Sequence, residues 1–284
     1  MKLSFPSICS KDYRDFIKDI KVKEVTKESF RGDKLLFNNF INCYRDVFGH
    51  RGGHEWGEYK KCRNCSKVYS IEDIYGAHEY RNIVDIEAEL EPQLYLCDCG
   101  GQLEYFYNKE NILEKINLLF KKKWYSFIII YDESNNRIVG FMLGYIDSAS
   151  NIWNDSLNKI FSDNIIKTGK LKGVLNDELE CYVDELGIIQ PYRKGKYPLY
   201  IIINKFFQDF ILKRIDLIIP KKLLLWTSKQ SKAYHLIKRL KHNVVAKDEN
   251  QDSKIVISLD FPYVIKKVRF FSIYLLINKL TRYV

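Results

Sequence analysis

Two apolar runs constrain this chain more than any other feature. SFIIIYD (126–132) and RIVGFMLGYI (137–146) flank ESNN, a good turn sequence. Runs of this length, β-branched and nearly free of polar alternation, read as a strand pair covered on both faces. Helices alternating with strands along the chain would supply that cover and argue for a layered domain.

The rest of the chain supplies such helices. In KLLFNNFINCYRDVF (34–48), Leu36, Phe40 and Tyr44 recur every fourth residue. In residues 108–124, Ile112, Ile116 and Leu119 share a face. Asn108 is placed to cap the start, and Lys121 to Lys123 suit the C-terminal end of the dipole. Residues 198–214 read as a buried helix opened by Pro198, where a missing N–H costs nothing. Residues 228–243 read as an amphipathic helix with Ser228 as cap and Ala233, Leu236, Ile237 and Leu240 on one side. A further helix is expected at 11–20. Strands are expected at 178–189 and 221–228, with a hairpin over 242–260. Residues 147–178 are polar and irregular, with one short helix near 151–161. The expected class is α/β (α+β), a mixed central sheet flanked by helices.

Four cysteines form a separate signal. Cys62-x2-Cys65 precedes Cys97-x-Cys99, the second pair in the turn LCDCGG. Cysteine pairs at this spacing chelate zinc in a tetrahedron, and a closed four-thiolate site is structural because no position stays open for water. Residues 59–106 therefore read as a zinc-ribbon-like insert, with 86–96 as a strand leading into the second pair and His50, His54 or His78 as alternative ligands. The insert divides the chain into N-terminal helices (1–58), the ribbon, a core (107–263) and a tail (264–284). Seven cysteines in all, an odd number, do not suggest a disulfide framework. The expected compartment is the cytoplasm.

The stretch YVDELGIIQPYRKGKYP (182–198) is a strand that delivers a basic turn into a helix, the usual layout for holding a phosphate at a helix start. The order hairpin, strand, basic turn, helix, strand, helix, hairpin resembles the GNAT-type N-acetyltransferase fold. YVDELGIIQPYRKGK (182–196) resembles that family's central strand and pyrophosphate turn. LLLWTSKQSKAYHLIKRLKHNVV (223–245) resembles its next strand and helix, and FINCYRDVFGHRGGHEWGE (40–58) its early helix and loop. The resemblance covers most of residues 11–260 and is interrupted by the cysteine insert.

It implies an N-acyltransferase that uses acetyl-CoA as acyl donor and an amine as acceptor, by direct attack. The strand contacts to the pantetheine fall on Leu186, Gly187, Ile188 and Ile189. The phosphate contacts fall on Arg193, Lys194, Gly195, Lys196 and Tyr197. Glu185 and Asp184 are the candidate bases. Adjacent strand residues point to opposite faces, so one of the two is expected to act, with Glu185 preferred. Tyr234 is the candidate acid, three positions before the place where relatives carry a tyrosine. Trp56 and Glu58 are candidates for the acceptor side. The turn departs from the family pattern: counted from Arg193, the glycine positions hold Lys196 and Pro198.

A net charge of +10 favours anionic partners. Five of those charges, Lys266, Lys267, Arg269, Lys279 and Arg282, lie in the tail, which carries no acid and reads as a final helix that covers a sheet face or lies on a membrane surface. Two other readings stand beside the enzyme: a zinc-ribbon nucleic-acid-binding protein, and an acyltransferase-like scaffold without activity. The nine acids between Glu72 and Glu104 argue against the ribbon as a nucleic-acid surface.

Overall fold

The computed structural model describes residues 19–50, 57–75, 96–158, 165–167, 178–194, 197–212, 220–229, 231–238, 240, 242–248 and 254–266. Two sheets are built from them. The large one has eight strands: β1 (Ile20–Glu24), β5 (Tyr125–Asp132), β6 (Arg137–Ser148), β7 (Ile165–Lys167), β8 (Leu179–Ile188), β9 (Lys222–Ser228), β10 (His242–Asp248) and β11 (Lys254–Asp260). Their spatial order is β1-β5-β6-β8-β9-β11-β10-β7. The small sheet holds β2 (Lys60–Cys62), β3 (Val68–Tyr69) and β4 (Leu103–Tyr105), with β2 in the middle.

Every pairing in the large sheet is antiparallel except β8 with β9. This is the mixed central sheet expected from the apolar hairpin. That hairpin is β5–β6, with Ile128, Ile130, Phe141 and Leu143 all fully buried.

Helices cover both faces. On one lies α2 (Lys34–Gly49), which follows the short α1 (Lys27–Gly32). Asp33 caps α2 by accepting the N–H groups of Leu35 and Leu36, both at 2.9 Å. Phe40, Tyr44 and Phe48, one turn apart, pack their rings on Phe141 of β6 at centroid distances of 5.2, 5.5 and 6.2 Å. The other face is held by α6 (Tyr197–Leu212). Its Phe206 fills the space above Gly144, where a Cβ would stand 2.5 Å from the ring. Gly144 is three residues past Phe141, hence on the opposite side of the strand.

After the short α3 (Ile71–Tyr75), the helix α4 (Lys109–Lys121) begins at Asn108, whose side chain accepts the Asn111 N–H at 2.7 Å. Its Ile112, Ile116 and Leu119 are buried as the spacing predicts. The short helix near 151–161 is α5 (Ala149–Ile152), continued by a π-helical turn, Trp153–Leu157.

Several expectations need correction or fall outside. The helix expected at 228–243 is only α7 (Lys232–Ile237). Its cap is Ser231, whose hydroxyl accepts the Tyr234 N–H at 3.0 Å, because Ser228 is still strand, paired with Lys254. The helix after the basic turn starts at Tyr197, one residue before Pro198. The first four N–H groups of a helix lack partners in any case, so proline is tolerated there as well. The helix expected at 11–20 lies outside the described residues except at its end, where Ile20 begins β1 instead; the strand at 86–96 lies outside except for Leu96, which bridges Gln102, and the tail beyond 266 lies outside. No helix among the described residues is long and apolar enough to cross a membrane.

Candidate functional site

The site grows from two irregularities in β8. The first is a bulge. Leu143 of β6 pairs with Glu185 but the next residue, Gly144, pairs with Val183, so Asp184 is an extra residue. A bulge bends its strand and re-aims side chains. The second is a divergence. β8 and β9 pair only where Cys181, Tyr182 and Val183 meet Leu223, Leu224 and Leu225. The described register stops at the bulge, while β8 runs on to Ile188 and β9 to Ser228.

Which backbone groups face the resulting opening follows from the ladder. The Ile189 N–H donates to the Val139 carbonyl at 3.0 Å. Bonded and non-bonded pairs alternate along an antiparallel ladder. Gly187 and Glu185 therefore turn their backbone groups to β6, while Leu186 and Ile188 turn theirs toward β9. Of the four strand residues expected to meet pantetheine, Gly187 and Ile189 thus have their backbone groups engaged within the sheet.

Glu185 sits on the α2 face, because it pairs with Leu143, two residues from Phe141. It is 8% exposed. The Tyr44 hydroxyl of α2 donates to its Oε1 at 2.6 Å. The Lys115 ammonium of α4 donates to the same oxygen. Lys115 Nζ also lies 4.0 Å from Asp184 Oδ1. The two carboxylates therefore share one lysine on one face. This corrects the expectation that they point apart, and the bulge is the reason. Glu185 Oε2 is buried and has no hydrogen-bond partner among the described residues.

Burial pushes the Glu185 carboxyl above its usual range, and the Lys115 charge opposes that push. Burial and the nearby Glu185 charge also raise Tyr44 well above the phenolic range. For Lys115, burial acts against the ammonium, but the charges of Asp184 and Glu185 outweigh it and hold the lysine above its usual value.

A second carboxylate, Glu58, is joined to this cluster through Tyr107. Tyr107 donates to Glu58, and its ring meets that of Tyr44 edge-on at 5.2 Å. Glu58 and Tyr107 bracket the cysteine insert in sequence. Trp56 is outside the described residues.

The basic turn differs from an open cradle. Gln190–Lys194 form a 3-10 helix. Buried Tyr192 donates to Asp132, and Arg137 donates to the Tyr192 hydroxyl at 3.3 Å. These bonds tie the turn to the β5–β6 hairpin. Arg193 turns inward: Nε donates to the Ile188 carbonyl and a terminal nitrogen donates to the Val47 carbonyl at 3.1 Å. Its guanidinium serves the backbone of β8 and α2. Gly195 and Lys196 lie outside the described residues, as do the side chains of Lys194 and Tyr197. Tyr234 lies on α7 with its ring edge-on to His242 of β10, 6.3 Å away, which puts its ring contact on the far side of β9 and β11 from β8.

In the insert, the four Sγ atoms of Cys62, Cys65, Cys97 and Cys99 lie within 4.8 Å of one another. The Cys62–Cys99 and Cys65–Cys97 pairs are at 3.5 and 3.6 Å. A tetrahedron with metal–sulfur bonds of about 2.3 Å has edges of about 3.8 Å. The surroundings fit such an ion. The Asn64 N–H points at Cys62 Sγ at 3.4 Å, and the Tyr69 hydroxyl is 3.0 Å from Cys97 Sγ. The Cys99 backbone N–H and the Tyr69 hydroxyl pull the Cys97 thiol down to about 6. A Cβ on Gly101 would stand 2.7 Å from Cys62 Sγ, so only glycine closes the second turn over the cluster. His50 is elsewhere: its Nδ1 meets Glu72 at 2.8 Å, and Asp46 lies 3.6 Å from Nε2. His54 and His78 are outside the described residues.

Lys115, Tyr44 and Tyr107 were not singled out as site residues from sequence. Each is remote from Glu185 along the chain, and no local pattern marks them.

No protein-family model and no curated protein matches the chain. Among solved structures it is similar to the ribosomal-protein-S5-alanine acetyltransferase from Vibrio fischeri (10% identity, TM-score 0.39, over 86% of this chain and 94% of that one). It is also similar to Arabidopsis thaliana NAA60 bound to a bisubstrate analogue (16% identity, TM-score 0.33, over 54% and 83%). A third is FeeM, an N-acyl amino acid synthase from uncultured soil microbes (11% identity, TM-score 0.34, over 52% and 74%).

Proposed function

We propose that the protein is an N-acyltransferase that moves an acyl group, acetyl in the first instance, from acyl-CoA to an amine. The observation that carries this reading is the juxtaposition at the β8 bulge: a strand diverges from its parallel neighbour beside a buried carboxylate with one free oxygen. The pantetheine arm would pair with the backbone of Leu186 and with the N–H of Ile188 in the opening, the Ile188 carbonyl being held by Arg193. The phosphates would lie at the start of α6, near Lys194, Gly195, Lys196 and Tyr197. Helix-start N–H groups and the dipole favour anions there.

In the reaction the amine nitrogen attacks the thioester carbonyl, a C–N bond forms and the C–S bond breaks. The proton lost by the nitrogen goes to Glu185 Oε2, and the thiolate leaves to take a proton from solvent. Tyr234 is not needed as an acid in this scheme. The four cysteines would hold one structural Zn²⁺, because all four ligands are protein thiolates and none is left for water.

Acetyl-CoA is the direct test. Bound only by the native state, it should raise the melting temperature in a concentration-dependent way. E185Q should keep that shift and lose about 10²- to 10⁴-fold in acetyl transfer to an amine. Absence of a shift at millimolar acetyl-CoA would sink the proposal.

A further inference from the structure

The site holds one lysine that the reaction scheme does not use. Lys115 is on α4, and Glu185 and Asp184 are on β8. Its ammonium bonds Glu185 Oε1 and stands 4.0 Å from Asp184 Oδ1. Tyr44 donates to the same Oε1 at 2.6 Å. One carboxylate oxygen is therefore held twice, and the other has no partner among the described residues. A bare buried carboxylate rotates and gains protons easily, because burial disfavours charge. One held at a single oxygen by a cation and a hydroxyl keeps its free oxygen in one direction.

We propose that Lys115 is the positioning residue of this site: it tethers Glu185 through Oε1, draws Asp184 to the same face, and so presents Oε2 to the acceptor's proton. The proposal rests on the reading of Glu185 as the base. Lys115 touches no reacting atom. The bulge supports the assignment, since without the extra residue Asp184 would point to the opposite face of the sheet.

The groups that surround the Glu185 carboxyl come from four elements. They are Tyr44 from α2, Tyr107 from the segment after β4, Lys115 from α4, and Tyr182 and Asp184 from β8 itself. Lys115 is the one cation among them. Loss of its charge should therefore make Glu185 a stronger proton acceptor, whereas loss of a packing group would leave its titration unchanged.

The experiment is infrared difference spectroscopy of the full chain between about pH 4 and about pH 9, with the Glu185 carboxyl band identified by its absence in E185Q. In K115M and K115Q the band should titrate about one pH unit or more above wild type, a tenfold or greater gain in proton affinity. In K115R it should stay within about half a unit of wild type. K115Q keeps an uncharged polar head on a shorter stem, so it serves if K115M does not fold. Equal titration in K115Q and wild type overturns the proposal, and so does a K115R that titrates with K115Q. Acetyl-CoA thermal shift on the same samples separates the two readings. A shift retained in every variant leaves the acyltransferase standing whatever the infrared result. No shift in wild type removes the acyltransferase while the tether is still judged by its band.

Discussion

Glu180 and Glu185 lie five residues apart on β8 and both are buried, but Glu185 accepts from a lysine ammonium whereas Glu180 accepts from a backbone N–H. Glu180 is fully buried. Its Oε2 accepts the Lys222 backbone N–H at 2.6 Å, and Oε1 has no partner among the described residues. Burial raises its carboxyl to about 7. A folded-state value above the unfolded one means that the native state binds the extra proton. Glu180 then favours the fold at acid pH, and that contribution is lost as pH rises from about 4.5 through about 7. E180Q keeps the acceptor for Lys222 and removes the ionisation. Its melting temperature should fall less between pH 5 and pH 8 than that of wild type, by on the order of 3 °C. Parallel pH curves for the two proteins would show that Glu180 ionises freely in the fold. At this scale the sequence marked Glu185 and Asp184 but misjudged their faces. The alternation rule assumes an unbroken ladder, and nothing in VDEL announces the extra residue.

Elements were more legible than their joints. The rows Leu36–Phe40–Tyr44 and Ile112–Ile116–Leu119 predicted α2 and α4, and the apolar runs predicted β5 and β6, because each pattern is satisfied by one local period. The turn and α7 were not, because distant partners decide them. Arg193 reads as a phosphate ligand in RKGK, yet it closes on the carbonyls of Ile188 and Val47, the latter 146 residues away in sequence. That contact gives a prediction about how the turn is held. R193A should leave both carbonyls without their charged donor and cost about 2–4 kcal/mol in urea unfolding. R193K should recover part of this, since a single ammonium lacks the fork that reaches two acceptors. If Arg193 held phosphate instead, R193A would weaken acetyl-CoA and leave the unfolding midpoint in place.

Across the whole molecule, α2 is the element that joins the cysteine insert to the sheet. Its middle presents Tyr44 to Glu185. Its end meets the insert: the Arg45 guanidinium lies 3.5 Å over the Tyr105 ring, and Arg45 Nε donates to the Tyr107 carbonyl at 3.0 Å. Gly49 brings the helix backbone so close to Tyr59 and Ile71 that a Cβ would stand 2.9 and 2.8 Å from their side chains. Among the described residues the buried apolar clusters of the insert are small: apart from the cysteines they comprise Tyr59, Ile71 and Leu103, with Tyr69, Ile74, Tyr75 and Tyr105 packed against them. A metal bound to four thiolates would therefore carry much of its folding free energy. Removal of that metal by a chelator should lower the melting temperature and release about one equivalent of zinc. The loss should reach the site through Tyr107 and Glu58, so amine transfer should fall together with zinc content. Acetyl-CoA binding, proposed to rest on β8, β9 and α6, should persist. C62S/C65S should reproduce the chelated state, and added zinc should restore only the wild-type chain. Transfer activity and melting temperature that stay constant while zinc leaves would show that the ribbon is an appendage, and that α2 does not pass its state to Glu185.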